Sequence, residues 1–411
     1  MKFFIKTFGC RVNIAESDEL QEKLQNLFSA ASAAKTIEAA DFIIIRACAV
    51  NAGAEQGVRQ AIRNYKRRGK LVFVVGCFMK KIPEADYYFK SDATLLKFLS
   101  DRFSCGRTRN GLAQKNEKIS SRAQKDKKIS SRARAFIKIQ SGCDFHCAFC
   151  VTRLIRGRSK QTNRDAIIKL IKERSKNGFQ EVVLTGTNIL LYQNICVLIT
   201  KVLRETTVPR IRFGSIDPRL VTEEFIGSFA NPRLMPHLHF SLQSWSEKIL
   251  KKMWRPIKIA KIKNIVRKLR AINPLFNFSA DIIVCYPGET EDDFKKSLKL
   301  AKKLQLCKIH YFPYSSRPGT PANQLQPLPP IIIKNRLTVV AALNARLQRK
   351  ARKCLIDKHL TVFFEYAKNN VHYGYTPNFI RMKLRSKNDL TGKTKEFIIK
   401  KSNFAPLPQE G

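Results

Sequence analysis

Four cysteines stand just past the ends of stretches that read as buried strands, and this placement constrains the fold more than any other feature: Cys10, Cys48, Cys77 and Cys143. Lys2–Thr7 reads as a strand, and Asp41–Arg46 and Lys70–Gly76 are apolar on both faces. Between them, Ile14–Phe28 puts Leu20, Leu24, Leu27 and Phe28 on one helical face, and Ala52–Arg68 reads as a basic helix. Strands with no polar face belong to a parallel sheet covered by helices on both sides. The carboxyl ends of such strands open on one edge, where ligands bind. Cys10, Cys48 and Cys77 are separated by 38 and 29 residues, one strand–helix unit each, so they should converge there. Three unrelated buried cysteines are the alternative. Their placement at three successive strand ends favours a site with three thiolate ligands.

The second triplet is local. Ile139-Gln-Ser-Gly-Cys-Asp-Phe-His-Cys-Ala-Phe-Cys150 sets Cys143, Cys147 and Cys150 in a Cys-x3-Cys-x2-Cys pattern. Three thiolates so spaced can hold three corners of a cubane iron–sulfur cluster and leave the fourth iron open. An open metal position marks a catalytic site, whereas a structural zinc, the main competitor, wants four ligands, usually as two close pairs. No cysteine follows Cys150 until Cys196, and Cys147 already occupies the turn that would bring in His146.

From Ala135 a second alternating run begins, with strands expected at Ala135–Gln140, Glu181–Thr185, Arg210–Ser215, His237–Leu242, Phe278–Val284 and Lys308–Phe312. Helical stretches lie between them, clearest at Arg164–Asn177, Ser246–Ile272 and Glu289–Leu304, the first capped by Asn163 or Asp165 and stopped by Gly178. Six such units suggest an incomplete barrel with its mouth at the carboxyl ends of the strands, where Cys143 follows the first one. A long basic helix, Ile331–Leu355, leads to a small β module in which Ile380-Arg-Met-Lys-Leu-Arg385 alternates apolar and basic residues. One Lys/Arg-rich sheet face suits backbone phosphates, though a merely solvated face has the same pattern. Asn110–Arg134 breaks the alternation with a near-repeat, Lys118-Ile-Ser-Ser-Arg-Ala123 and Lys128-Ile-Ser-Ser-Arg-Ala133, too polar to bury, and reads as an exposed linker. The expected class is therefore α/β: a doubly wound parallel-sheet domain (1–109), the basic linker (110–134), a partial (β/α)6 barrel with its following helix (135–355) and a small β-barrel module (356–411).

The chain carries 77 Lys and Arg against 32 Asp and Glu, a net charge of +45 over 411 residues. Such a surface attracts polyanions through counterion release, so nucleic acid is the expected partner, with compositional drift of Lys onto solvated faces as the bland contribution. No run is long enough to span a membrane. The opening residues read as a first strand, not a signal peptide. Eleven cysteines, the informative ones spaced for metal, point to a reducing cytoplasm.

The Cys143–Cys150 triplet resembles the signature of radical S-adenosylmethionine enzymes. Both triplets together with the basic β module resemble the methylthiotransferases, which join a cluster domain, a radical S-adenosylmethionine barrel and an RNA-binding β module called TRAM. Matching segments are Thr7-Phe-Gly-Cys-Arg-Val-Asn13, Cys48-Ala-Val-Asn51, Val75-Gly-Cys77, Arg134-Ala-Phe-Ile-Lys-Ile-Gln140, Arg156-Gly-Arg158, Glu181-Val-Val-Leu-Thr-Gly186 and His237-Leu-His-Phe-Ser-Leu-Gln-Ser244. Further along come Asp281-Ile-Ile-Val284, Pro287-Gly-Glu289, Phe312-Pro-Tyr-Ser315 and Arg317-Pro-Gly-Thr320. Of the three branches of the family, Gly9-Cys-Arg-Val-Asn13, Phe312-Pro-Tyr-Ser315 and Gly374-Tyr-Thr-Pro-Asn-Phe-Ile380 are most similar to the one acting on N6-threonylcarbamoyladenosine in tRNA. The other branches act on isopentenyladenosine in tRNA or on an aspartate of a ribosomal protein. A rival of another class is a non-catalytic RNA-binding protein with structural clusters.

The resemblance implies two 4Fe-4S clusters and S-adenosylmethionine as cofactors. It implies methylthiolation at C2 of the modified adenosine next to the anticodon, and as partners the tRNA anticodon stem-loop, an electron donor and a sulfur donor. Replacing an unactivated C–H bond demands a radical route, because no base at neutral pH removes that hydrogen. In that scheme the cluster on Cys143, Cys147 and Cys150 generates the radical. The cluster on Cys10, Cys48 and Cys77 holds or supplies the sulfur, and the protein brings both open irons and the adenine edge into one dry cavity. Phe149 packs against the cofactor adenine or is a core aromatic. Arg158 meets the cofactor carboxylate or is solvated beside Arg153 and Arg156. Thr185, Ser215 and Gln243, at strand ends of the mouth, would orient the cofactor. Cys105, Cys196, Cys285, Cys307 and Cys354 read as small buried hydrophobes or incidental thiols. Three departures from the family pattern stand out: Trp245 and Cys285 at positions usually Gly, and Arg46-Ala47 for the usual Asn-Thr before Cys48. Trp245 is expected to crowd the cofactor mouth or to require a different backbone there.

Overall fold

The computed structural model describes residues 2–27, 32–34, 36–48, 50–78, 82–104 and 132–407. Most of the expected linker lies outside them, as does Cys105. The chain divides into two compact units, Met1–Ser131 and Arg132–Gly411.

The first unit is a doubly wound sheet. Its strands β1 (Lys2–Thr7), β2 (Ser32–Ala33), β3 (Phe42–Ala47), β4 (Leu71–Gly76) and β5 (Tyr87–Phe89) run parallel in the order β2-β1-β3-β4-β5. Helices α1 (Arg11–Leu27) and α3 (Asp92–Ser104) bring Leu20, Leu24, Leu95 and Leu99 onto Phe3, Phe42, Ile44, Phe73 and Val75. Helix α2 (Ala52–Arg67) brings Val58, Ile62 and Tyr65 onto Ile43, Ile45, Val72 and Val74. The alternating residues of β3 and β4 thus feed two different cores, which is why these runs are apolar throughout. The short edge strands β2 and β5 were not expected. At two or three residues neither shows a period, and their pairing comes from neighbours distant in sequence.

The second unit holds the barrel. Strands β6 (Arg134–Ser141), β8 (Glu181–Gly186) and β9 (Arg210–Phe213) are parallel, with β7 (Lys160–Gln161) antiparallel on the outer edge of β6. After a break at Gly214, β10 (Ser215–Ile216) starts a second parallel sheet with β11 (His237–Gln243), β12 (Asn277–Val284) and β13 (Lys308–Pro313). The six expected strands are therefore present, the third split in two. Helices α4 (Thr152–Arg156), α5 (Arg164–Lys176), α6 (Ile195–Glu205), α7 (Glu223–Ser228), α8 (Glu247–Lys252), α9 (Ile259–Ile272), α10 (Glu291–Lys303) and α11 (Pro330–Lys353) connect and cover them. Asn163 caps α5 through its side chain, accepting from the Asp165 and Ala166 amides. The stretch Ser246–Ile272, expected as one helix, is two: Met253–Lys258 interrupts it, with Trp254 left-handed at φ 57° and Pro256 unable to continue a helix.

The C-terminal module is an antiparallel sheet, β14 (His359–Lys368), β15 (Val371–Tyr375), β16 (Arg381–Arg385) and β17 (Thr394–Ile398), in the order β16-β15-β14-β17. Met382 is fully buried and Arg385 exposed, as the alternation required. Tyr366 stacks on Tyr373 at 5.0 Å, and the Arg381 guanidinium lies 5.3 Å from the Tyr373 ring.

This module docks on the amino ends of the barrel strands. Arg134 pairs with Glu365, Arg212 donates to the Thr376 and Pro377 carbonyls, His237 stacks on Phe379 at 4.7 Å, and Asn277 donates to the Asn378 carbonyl. The segment Gly374–Ile380 is thus a docking element. Beneath it Glu181, fully buried, meets Arg134, Arg210 and Arg212 at 2.7–2.9 Å. Burial alone would push its carboxyl up, but Arg212, Arg134 and Arg210 hold it down at about 2. Three cations share that anion, and burial pushes Arg212 down to about 9.

Candidate active site

Cys143 sits in the loop that leaves β6. Gln140, fully buried, shapes that loop: its amide nitrogen donates to the Ser141 and Gly142 carbonyls and to Ser159 Oγ, and its oxygen accepts from the Asn188 amide at 2.9 Å. Gly142 adopts φ 77°, and a Cβ there would lie 2.0 Å from the Arg158 carbonyl oxygen. Only glycine lets the Gly157–Arg158 backbone close against the loop, where the Cys143 amide donates to the Gly157 carbonyl. Gly157 and Arg158 thus shape the loop through their backbone, while the Arg156 guanidinium donates to Ser141 Oγ at 3.1 Å. The Arg158 side chain is exposed.

The Cys147 and Cys150 sulfurs lie near enough to Cys143, and Cys147 to Cys150, for their charges to interact. Burial pushes the Cys143 thiol up; the Phe145 amide and the Asn188 side chain oppose this and the two neighbouring sulfurs add to it. Burial likewise raises Cys150. Both must lose their protons to ligate metal. The nearest buried cation is Arg255, whose Nη1 donates to Cys147 Sγ at 3.1 Å and whose Nη2 pairs with Asp217 at 3.0 Å. Burial disfavours its charge, but Asp217 and the Cys147 and Cys150 sulfurs outweigh that. Arg219, paired with Asp217 at 2.6 Å, lies 3.9 Å over the Phe145 ring. Asp217, Arg219 and Arg255 were not singled out in the sequence. Arg255 follows a Trp and precedes a Pro, which marks a chain break but says nothing about the sulfur it reaches.

Of the five residues expected around the cofactor, Thr185 and Gln243 lie at the carboxyl ends of β8 and β11, the same end as Cys143, and Ser215 opens β10 two residues past the carboxyl end of β9. Thr185 is buried, and Gln243 has a left-handed backbone at φ 76°. Phe149 packs against the small core of Ala148, Ile249, Met253, Tyr286 and Ala322. Trp245 turns into the helical layer, 2% exposed within the main core, and borders a cleft with Ile259, Lys263 and Leu300. Its bulk is accommodated behind the turn. Cys285 keeps the backbone of the glycine it replaces, φ 62°, and its amide donates to Glu289 at 2.9 Å. Cys196, Cys285 and Cys307 are buried and Cys354 exposed; none of the described cysteines is in a disulfide.

In the first unit the other triplet occupies the carboxyl edge of the sheet, at the ends of adjacent strands β1, β3 and β4. Asn13 ties two of these ends together, donating to the Phe8 and Ala47 carbonyls at 2.7 and 2.8 Å. The Cys77 amide donates to the Ala47 carbonyl at 3.3 Å. Gly9, at φ 95°, lies against Cys48, where a Cβ would meet Cys48 Sγ at 2.7 Å. Arg46 is not a solvated substitute for the usual Asn: it is 3% exposed and paired with Asp92 at 2.8 Å.

Among the described residues, no three Cys, His, Asp or Glu side chains converge closely enough to hold a single ion. A four-iron cube asks for a wider set, with each thiolate on a different iron. The Cys143 loop fits that group in donor type and in number. It fits in charge as well, since Arg255 supplies a buried cation beside an anionic cluster.

The pattern of the Radical SAM superfamily matches residues 137–301, and that described as Uncharacterized protein family UPF0004 matches residues 2–93. A solved structure of the radical S-adenosylmethionine methyltransferase TsrM from Kitasatospora setae has the same fold, with a TM-score of 0.55 at 12% identity over 78% of this chain and 77% of that one. Barrel, loop and pattern together define a radical S-adenosylmethionine enzyme. The threonylcarbamoyladenosine tRNA methylthiotransferase MtaB of Thermotoga maritima is 32% identical over 92% of this chain and 90% of its own. The tRNA-2-methylthio-N(6)-dimethylallyladenosine synthase of Endomicrobium trichonymphae is 28% identical over 99% of both. The chain belongs to the radical S-adenosylmethionine methylthiotransferase family. Membership brings a 4Fe-4S cluster and S-adenosylmethionine.

Proposed function

We propose that this enzyme methylthiolates C2 of N6-threonylcarbamoyladenosine beside the anticodon of tRNA, with a second cluster on Cys10, Cys48 and Cys77. The observation that carries the reading is its 32% identity, over nine-tenths of both chains, to a protein named for that reaction. The motifs Gly9–Asn13 and Phe312–Ser315 support the same branch.

Cys143, Cys147 and Cys150 would hold the first cluster, which when bound supplies the electron that cleaves S-adenosylmethionine to a radical able to take hydrogen from an unactivated C–H bond. The chain's own residues prepare that site. Gln140 and Gly142 set the loop, Asn188 orients Cys143, and Arg255 with Asp217 fixes Cys147. Thr185, Ser215 and Gln243 would orient the cofactor at the strand ends, with Phe149 and Arg158 as further contacts. Cys10, Cys48 and Cys77 would hold the cluster that carries the sulfur. The Tyr366–Tyr373–Arg381 group and the surrounding Lys and Arg of the TRAM-like sheet suit an RNA strand, offering aromatic faces to bases and cations to phosphates.

Mass analysis of tRNA nucleosides from a deletion strain and its parent tests this. The 2-methylthio derivative of threonylcarbamoyladenosine should vanish and its unmodified precursor accumulate. Unchanged 2-methylthio nucleosides would refute a tRNA substrate. Loss of the dimethylallyladenosine derivative instead would establish the branch of the Endomicrobium relative.

A further inference from the structure

We infer that Arg255 is a positioning residue that sets the reduction potential of the cluster on Cys143, Cys147 and Cys150, with Asp217 as its counterweight. The inference rests on reading that triplet as a cluster site.

Arg255 reaches the sulfur from a place no helix would supply. It lies in the interruption between α8 and α9, after Trp254 in the left-handed region and before Pro256. Left-handed backbone is unfavourable at a bulky residue, and it is kept here. The interruption is tied to the cysteine loop on one side and to α8 on the other: the Ala148 amide donates to the Met253 carbonyl at 3.0 Å, and the Arg255 amide donates to the Leu250 carbonyl at 2.8 Å. The guanidinium is then held at three points, Cys147 Sγ, Asp217 Oδ2 and the Ser241 carbonyl, with Arg255 only 8% exposed. Among the described residues, Asp217 also pairs with Arg219, whose Nη2 comes within 4.0 Å of Cys147 Sγ, so two guanidiniums face one carboxylate and one net positive charge is left beside the sulfur.

Reduction of a cluster adds one electron and no proton, so its negative charge rises by one. A hydrogen bond to a ligating sulfur and a buried cation both favour the reduced form, and both act strongly where water is excluded. Arg255 supplies both at once. Asp217 opposes the cation while fixing its direction, so the two residues should move the potential in opposite senses.

The test is a redox titration with dithionite, followed by electron paramagnetic resonance. It uses the full-length chain in which Cys10, Cys48 and Cys77 are replaced by alanine, so that every signal belongs to the remaining triplet. Arg255→Met should shift the midpoint to more negative values, Arg255→Lys should fall between it and the parent, and Asp217→Asn should shift it the other way. Equal midpoints in all variants at full iron content would overturn the inference. Loss of iron in Arg255→Met with Arg255→Lys and Asp217→Asn at the parent midpoint would also overturn it, by showing a purely structural role. If the parent itself takes up no iron, the reading of the triplet fails, a result distinct from either of these.

Discussion

Gly9 leaves the space that Cys48 occupies. An added methyl group would lie 2.6 Å from Cys48 Cβ at a backbone angle that L residues avoid, so one of the two must move. After anaerobic reconstitution the parent should carry about eight irons per chain, four from each cluster. Gly9→Ala should fall toward about four, as Cys48→Ala should, and both should still cleave S-adenosylmethionine while yielding no methylthio nucleoside. Cys143→Ala should also hold about four irons but release no deoxyadenosine; release at the parent rate would place the cleavage elsewhere. Single residues were legible where their meaning is local. The Cys143 triplet is a spacing, and the Cys10–Cys48–Cys77 set is a repeated position at strand ends. Arg255, Asp217 and Asn188 were not legible, because Arg255 and Asn188 meet the cysteine loop, and Asp217 meets Arg255, through contacts between residues far apart in sequence.

Strands and long helices came through because burial writes a period into them: β1, β3, β4 and the six barrel strands stand within a residue or two of where the pattern put them. The helix over Ser246–Ile272 was misjudged because its apolar period continues on both sides of the interruption, and only Pro256 marks it. The Glu181 cluster belongs to this scale too, since it joins the first residues of β6, β8 and β9. Glu181→Gln removes the fully buried anion shared by three buried arginines and should cost about 3–5 kcal/mol, lowering the thermal midpoint by on the order of 10 °C. Its carboxyl titrates at about 2 in the fold against ~4.3 unfolded, so its stabilisation is complete above pH ~4.3 and is lost as pH falls toward about 2. Denaturant titrations across that interval should show the parent losing stability faster than Glu181→Gln; parallel curves would contradict the ion-pair account.

At the scale of the whole chain, the charge of +45 and the docked β module carry the expectations about RNA. The module's sheet order was not predictable, and neither was its seat on the amino ends of the barrel strands, because Arg212, His237 and Asn277 read as ordinary strand residues until Thr376–Phe379 folds against them. Among the described residues, no helix is long and apolar enough to cross a membrane. If the basic surface recruits tRNA by phosphate contacts, binding should weaken by on the order of 10³ between 50 and 200 mM salt. Tyr366→Ala and Arg381→Ala should weaken binding further without altering iron content. Affinity unchanged by salt would remove the electrostatic account. The most direct test of the central claim is turnover with purified components: reconstituted protein, S-adenosylmethionine, dithionite, a sulfide source and tRNA bearing threonylcarbamoyladenosine, digested and analysed by mass spectrometry. The account predicts the 2-methylthio nucleoside in step with deoxyadenosine. Deoxyadenosine formed while that adenosine stays unmodified would contradict it.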